Sequence, residues 1–413
     1  TKHAAADAKI PYKSGFLFYR DGPALIEAFN MLEHKPDVLI VPNGSPYYLG
    51  KGAMRYNLVR NIALRLGCGV CYTNQVGGYD DLVFDGRSFF MNRYGRCTAA
   101  ASPFKEAIVM IDTNTHESVV YPMDYPGAVV DLRDALVLAV RDYARKHKVP
   151  FTGAVIPLSG GIDSAVTACL AVDAFGCGNV QGIGLPCEPY SSAGSIADSR
   201  ALADNLGIDF HVVPITDIYR SYRTALEPLI GWYEPGTRPG DSTEENLQPR
   251  ARCGVTMAVS NRKRDDGKNL LWIATGNKSE IFQGYWTLFG DTGLYAILAD
   301  VYKTQVYQLA DLYQHVPRSI KTKPPSAELR EGQKDIDSLP PYAILDPILK
   351  HYLEEDNSIQ DIITAGFEVT TVRRVVERIH ASEFKRKFMP YGPKVSQKSV
   401  GSGRRWPIAA RFV

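Results

Sequence analysis

Short β-branched runs alternate with helical patterning along most of the chain. Before about Tyr121, Val38-Leu39-Ile40-Val41 and Val70-Cys71-Tyr72-Thr73 read as strands and Ala53 to Leu66 as a helix. Leu82 to Met91, with Tyr94-Gly95 at its end, reads as a hairpin. Asp124-Tyr125-Pro126-Gly127 has the composition of a linker, and Asp131 is placed to cap an amphipathic helix ending near His147. A strand through Val155-Ile156-Pro157-Leu158 then leads, past a Gly-Gly loop, into an apolar helix from Ala165 to Phe175. Strand Val180 to Leu185, helix Ser195 to Leu206, strand Phe210 to Val213 and strand Leu270 to Ala274 follow. The last third is mostly helical and ends in a basic tail broken by Pro and Gly, and no internal repeat or low-complexity tract is present. Alternating β and α units imply a parallel, doubly wound sheet with ligands at the carboxyl ends of its strands.

Composition narrows this little. With 413 residues, two domains are expected. Hydrophobic content of 45% and charged content of 22% are ordinary for a globular protein, and a net charge of +2 argues against a general polyanion binder. Seven scattered cysteines without a signal peptide imply a reduced compartment, the cytoplasm. Cys68 and Cys71 form one isolated C-x-x-C, without the second pair or His cluster of a zinc site. No apolar run reaches membrane-spanning length. The chain opens on Thr1, as a processed form or a fragment would.

Chemistry concentrates at Pro157-Leu158-Ser159-Gly160-Gly161-Ile162-Asp163-Ser164. Successive N–H groups at a helix N-terminus form an anion site, and Gly160 and Gly161 let the backbone approach phosphate. The loop lacks the Lys of a Walker A motif. It resembles the PP-loop of ATP pyrophosphatases. Thr275-Gly276-Asn277-Lys278-Ser279-Glu280 stands where another strand gives way to a helix. A carboxylate beside a triphosphate needs a cation between them, so Asp163 and Glu280 together suggest Mg²⁺ bridging to ATP. Both acids are also well placed as plain helix-N-terminal charges. In Thr243-Glu244-Glu245-Asn246-Leu247-Gln248, Thr243 reads as a cap and Pro249 as an interruption, while Arg250 and Arg252 could grip phosphate.

These motifs, with Gly284-Tyr285-Trp286-Thr287-Leu288-Phe289-Gly290-Asp291, Asp300 to Thr304, Lys323 to Leu329, Asp335 to Tyr342 and Glu383 to Arg386, resemble NAD synthetases of the glutamine-dependent type. The resemblance runs from about Val155 to the C-terminus. It implies a ligase that amidates deamido-NAD through an acyl-adenylate, releasing AMP and pyrophosphate. By that resemblance Pro157 to Ser164, Thr275 and Ser326 hold ATP, and Asp163 and Lys303 are catalytic. Asn246, Glu280, Tyr285, Trp286, Thr287, Leu288 and Lys385 contact deamido-NAD, Asp163 and Glu280 hold Mg²⁺, and the chain pairs with a second copy. A lysine such as Lys303 is also compatible with a solvated helix position.

Asn43-Gly44-Ser45-Pro46-Tyr47, Gly50-Lys51 and Tyr72 to Gly78 resemble the nitrilase-type glutaminase domain fused to such synthetases. The nucleophilic Cys of that family should precede this element, but Phe18-Tyr19-Arg20-Asp21-Gly22 stands there, and the segments for its Glu and Lys partners are missing. Ser45 and Lys51 are then relics of glutamine binding or plain turn and helix residues, and ammonia is the expected direct nitrogen donor. The expected domains are a partial nitrilase-like one (1–122), a linker and helix (123–152), and the synthetase PP-loop domain (153–413). The tail from Lys385 carries eight Lys or Arg and no acid. It fits a lid over a polyphosphate site, an RNA-binding surface or a solvated terminus. A PP-loop tRNA-modifying enzyme and a non-catalytic nucleotide-binding scaffold are the alternative readings.

Overall fold

A computed structural model describes residues 14–16, 36–112, 127–233, 237 and 242–409. The linker stretch 124–126 and the segment 18–22, where a nucleophile was sought, lie outside the described residues. The chain divides into two compact units, with the boundary between 135 and 136 and residues 79–81 belonging to the second.

In the first unit, β1 (Ser14–Phe16), β2 (Val38–Asn43) and β3 (Gly69–Asn74) run parallel. Helix α1 (Lys51–Leu66) connects β2 to β3 and buries Val59, Ile62, Ala63 and Leu66 against Leu39, Val41 and Val70. Val76–Tyr79 (β4) and Leu82–Asp85 (β5) form a separate two-stranded sheet. Phe89–Met91 (β6) and Cys97–Ala100 (β7) extend the main sheet antiparallel, in the order β1-β2-β3-β6-β7. The hairpin turn around Tyr94-Gly95 therefore joins β6 to β7, and the run expected as one hairpin arm is split between two sheets.

Helix α2 (Ala128–Lys146) opens the way to the second sheet. Asp131 lies inside its first turn and is not its cap; its carboxylate takes the Arg87 guanidinium at 2.5 Å. The second sheet is built from β8 (Gly153–Pro157), β9 (Val180–Gly184), β10 (Asp209–Val212), β11 (Leu270–Ala274) and a two-residue β12 (Tyr295–Ala296). Its order is β10-β9-β8-β11-β12, all parallel. The chain moves outward from β8 through β9 to β10, then returns to the other side of β8. That reversal opens a crevice between the carboxyl ends of β8 and β11, where doubly wound sheets bind ligands.

Helix α3 (Ile162–Phe175) follows β8 and is buried on nearly every face, as its mostly apolar sequence from Ala165 to Val172 requires. Helices α4 (Ala193–Leu206) and α5 (Thr216–Ile230) follow β9 and β10. Helix α6 (Thr243–Asp265) runs unbroken through Pro249, with Ser242 rather than Thr243 as its N-cap residue. Pro249 is buried and packs on Gly290, where an added Cβ would lie 2.7 Å from the proline ring, so packing offsets the missing N–H donor. Helices α7 (Lys278–Phe282), α8 (Lys303–Asp311) and α9 (Arg318–Thr322) precede a helical C-terminal third. There α10 (Tyr342–Leu353), α11 (Ile359–Thr364) and α12 (Val369–Ala381) share a core of Leu345, Ile348, Leu349, Ile362, Val372, Val375 and Ile379, and α13 (Glu383–Arg386) follows. Among the described residues no helix is long and apolar enough to cross a membrane.

Candidate active site at the crevice between β8 and β11

The loop from β8 to α3 is fixed by one glycine and left open by the next. Gly160 has φ +74°, and a Cβ there would lie 2.4 Å from the Ser195 carbonyl oxygen, so only glycine fits. Gly161 is extended at φ −95°, and an added Cβ would meet only Ser159 Oγ, at 3.3 Å. Gly161 occupies the N-cap position of α3 without a side-chain cap, leaving first-turn N–H groups to face the crevice. Ser164 Oγ accepts the Ser159 N–H at 3.3 Å and donates to the Gly161 carbonyl at 2.9 Å, holding the loop shape.

Asn277 joins this loop to the segment after β11. Fully buried, it accepts the Glu280 N–H at 3.1 Å as the cap of α7 and donates through Nδ2 to Asp163 Oδ1 at 2.9 Å. Lys303, the first residue of α8, is only 2% exposed, which excludes the solvated helix position. Its ammonium sits between Asp163 Oδ2 and Glu280 Oε1, 2.9 Å from the latter. Tyr342 donates to Asp335 Oδ2 at 2.7 Å and lies 3.2 Å from Glu280 Oε1. Two carboxylates thus hold one ammonium, and a third, Asp335, joins them through Tyr342.

Burial pushes Glu280 up to about 7; Lys303 opposes the rise while Asp163 and Asp335 add to it. Burial would pull the Lys303 ammonium down, but Asp163 and Glu280 outweigh it and hold the lysine above its ordinary value. Burial also raises Asp335, partly offset by Lys303 and by the Tyr342 hydroxyl.

A cavity of about 270 Å³ opens over this cluster. Pro157, Leu158, Ser159, Gly161, Ile162, Asp163, Ser164, Thr275, Glu280, Tyr285, Trp286, Lys303 and Ser326 line it; Gly160 does not. Ser326 is already engaged, donating to the Gln333 carbonyl at 2.6 Å and accepting the Glu328 N–H at 3.1 Å. Asn246, Thr287, Leu288 and Lys385 stand outside the cavity lining, in a neighbouring cluster. There Thr287 Oγ1 donates to Asn246 Oδ1 at 2.7 Å, and Lys385 donates to the carbonyls of Gly284 and Trp286 at 2.8 and 2.7 Å.

Several site residues were given no role from sequence. Lys323 donates to Ser195 Oγ at 2.5 Å and Glu328 Oε1 at 3.0 Å, at the cavity wall beside Gly160. Glu328 has φ +49°, and its carboxyl is held low: burial raises it, but the hydrogen bonds from Ser195 and Lys323 prevail. Arg252, which the sequence offered as a phosphate grip, does line the cavity, donating to the Leu185 carbonyl at 3.0 Å, whereas Arg250 is not among the lining residues. The K-P-P-S-A-E-L run and the paired arginines were the signals for these residues. Tyr342 closes the D-I-D-S-L-P-P-Y run, which marked the segment without giving the tyrosine a role.

The oxygen donors of Asp163 and Glu280 suit a hard divalent cation. Among the described residues no three acidic, Cys or His side chains enclose a metal by themselves, so phosphate oxygens and water would complete such a shell. Three of the tail's basic residues are paired with acids that precede it: Lys398 and Arg404 both hold Asp356, and Arg386 holds Glu383 at 2.7 Å. In the first unit Lys51 donates to the Pro46 carbonyl at 2.7 Å, and Arg55 binds both the Ser45 carbonyl, at 2.7 Å, and buried Asp85, at 2.6 Å. Ser45 and Lys51 thus brace the turn after β2.

The NAD synthase family model matches residues 132–389. A second model, of endonuclease V, matches residues 1–46, of which only 14–16 and 36–46 are described. The chain is 40% identical over 407 residues to the glutamine-dependent NAD(+) synthetase of Synechocystis, covering 96% of this chain and 70% of the relative. The solved glutamine-dependent NAD+ synthetase of Acinetobacter baumannii, in complex with ADP, is 36% identical with a TM-score of 0.70, covering 97% of this chain and 73% of that one. The corresponding structure from Cytophaga hutchinsonii shares the fold at a TM-score of 0.76 and 19% identity, over 96% of this chain and 71% of that one.

Proposed function

The chain belongs to the glutamine-dependent NAD(+) synthetase family of carbon–nitrogen ligases, and we propose from that premise that it amidates deamido-NAD with ATP, using ammonia directly. The observation that carries this reading is the buried Asp163–Lys303–Glu280 cluster beneath an open phosphate loop. The nicotinate carboxylate oxygen attacks the ATP α-phosphorus as the bond to the β-phosphate oxygen breaks, giving acyl-adenylate and pyrophosphate. Ammonia then attacks the acyl carbon, AMP leaves, and the nitrogen loses a proton.

Each step asks something of this chain. The first-turn N–H groups of α3 and the Lys303 ammonium face the charge that develops on the departing pyrophosphate, where preorganised donors stabilise it most. Thr275, Ser326, Tyr285 and Trp286 all line the cavity; in this reading Thr275 and Ser326 would border the nucleotide, and Tyr285 and Trp286 would contact deamido-NAD. Asn246 and Lys385 would reach the dinucleotide from the neighbouring cluster. Mg²⁺ fits Asp163 and Glu280, and when bound it would neutralise phosphate charge.

What supports ammonia as the donor is the stretch before the N-G-S-P element: Phe18-Tyr19-Arg20-Asp21-Gly22 stands where the amidase nucleophile is expected and holds no cysteine, and a nitrilase-type amidase needs a thiolate. The pairing of Arg386, Lys398 and Arg404 with Glu383 and Asp356 weakens an RNA-binding reading of the tail. The test is NAD production measured with ammonium or glutamine as donor, with AMP and pyrophosphate counted. NAD formed with ammonium, with one AMP and one pyrophosphate per turnover and none from glutamine, is expected. ADP and phosphate as products, or equal rates with glutamine, would refute the proposal.

A further inference from the structure

Lys303 and Glu280 lie on two different helices, α8 and α7, and something must fix the distance between them. Both helix starts are held by one side chain outside the cavity lining, Asp346 on α10. Asp346 is 4% exposed, within a helix otherwise buried through Leu345, Ile348 and Leu349. Its Oδ1 accepts the Ser279 hydroxyl at 2.5 Å, and its Oδ2 accepts the Thr304 N–H at 2.9 Å and the Thr304 hydroxyl at 2.8 Å. Ser279 Oγ in turn accepts the Lys303 backbone N–H at 2.9 Å.

We propose that Asp346 and Ser279 are positioning residues, a buried staple that sets the Lys303 ammonium between Asp163 and Glu280. The proposal rests on the role given above to Lys303. Ser279 adjoins Glu280, and Thr304 adjoins Lys303, so the carboxylate ties together the backbones that carry the pair. It also supplies negative charge to the first turn of α8, whose own cap residue, Tyr302, offers no side-chain bond to the N–H groups bound by Asp346 and Ser279. A neutral amide cannot replace it. Asparagine retains one acceptor for Thr304 but aims N–H at Ser279 Oγ, which already accepts from Lys303, leaving the serine proton without an acceptor. The Lys303 backbone is then less firmly held, and reactive groups must be placed to a fraction of an ångström.

The test compares Asp346→Asn and Ser279→Ala with wild type in ammonium-dependent NAD formation. Ile348→Val, a packing change in the same helix, serves as the stability control. All assays run well below each melting temperature, and Lys303→Ala is assayed alongside. The expected result for Asp346→Asn is a fall in kcat of about tenfold or more with KM for ATP and deamido-NAD within about threefold, the signature of an interaction made in the transition state. Ser279→Ala is expected to fall in the same direction, and it carries the test if Asp346→Asn does not fold. Ile348→Val keeps kcat. A kcat within about twofold of wild type in the staple variants, or a raised KM with kcat retained, overturns the proposal. An active Lys303→Ala instead removes the reading beneath it, a result distinguishable from unaffected staple variants beside an inactive Lys303→Ala.

Discussion

Removing the ammonium of Lys303 leaves Asp163 and Glu280 facing each other, with Asp335 close by. Breaking a buried ion pair by deleting one partner costs about 3 kcal/mol or more, because the remaining charge stays buried. Lys303→Ala should therefore abolish adenylate formation and lower the melting temperature, and the drop should be smaller at pH 6 than at pH 8, because without the lysine Glu280 is pushed higher still and the folded variant takes up its proton more readily at the lower pH. Equal drops at both values would show that charge is not the cause. The lysine-containing protein carries its own pH signature. Glu280 titrates at about 7 in the fold against an ordinary 4.5, so between those values the folded chain holds a proton that the unfolded chain releases. Its contribution to stability is fully present below pH 4.5 and declines as pH rises through 7. Urea midpoints of the ligand-free protein should reflect this decline, and Glu280→Gln should flatten it; an unchanged slope in that variant would assign the proton elsewhere.

The phosphate loop separates two tasks that its glycines share in sequence. Gly160 is demanded by the chain itself, through its positive φ and the Ser195 carbonyl, whereas Gly161 has room and an ordinary backbone. Gly160→Ala should destabilise the protein by at least the 1–2 kcal/mol or so of a left-handed alanine, with the backbone clash added, and should lose ATP binding as well. Gly161→Ala should leave the melting temperature near wild type while weakening ATP binding, since its Cβ enters the space of the ligand. Calorimetric ATP titration beside thermal melting distinguishes them, and equal destabilisation by both variants would refute the division. Beside this loop, Lys323 is tied to Glu328 and Ser195. A polyphosphate competes with Glu328 for that ammonium, so Lys323→Ala should raise the inhibition constant of added pyrophosphate about tenfold. No change would confine Lys323 to holding the loop.

Strand positions were readable because β8, β9 and β11 are short apolar runs with turn residues on either side, and alternation with helices specified a parallel sheet. Thr243, Asp131 and Pro249 were misread because capping and proline rules are local, while the outcome was set by what packs from afar: Arg87 on Asp131, Gly290 against Pro249. The two-residue β12 carries no periodicity and could not be seen. Motif spacing brought Asp163, Glu280 and Lys303 forward, yet Tyr342 and Asp346 reach them only through a helix that begins dozens of residues later. The completed cluster bears on metal dependence. Because Lys303 already bridges Asp163 and Glu280, the fold does not need a divalent ion to hold those carboxylates together. ATP, by contrast, brings several further negative charges into the same cavity, and a single ammonium shared by two acids cannot offset them. Chelation with EDTA should therefore abolish AMP formation while moving the melting temperature of the ligand-free protein by no more than about 1 °C. If chelation instead melts the protein early, the ion is structural, and the Lys303 bridge is not what holds the carboxylates in place.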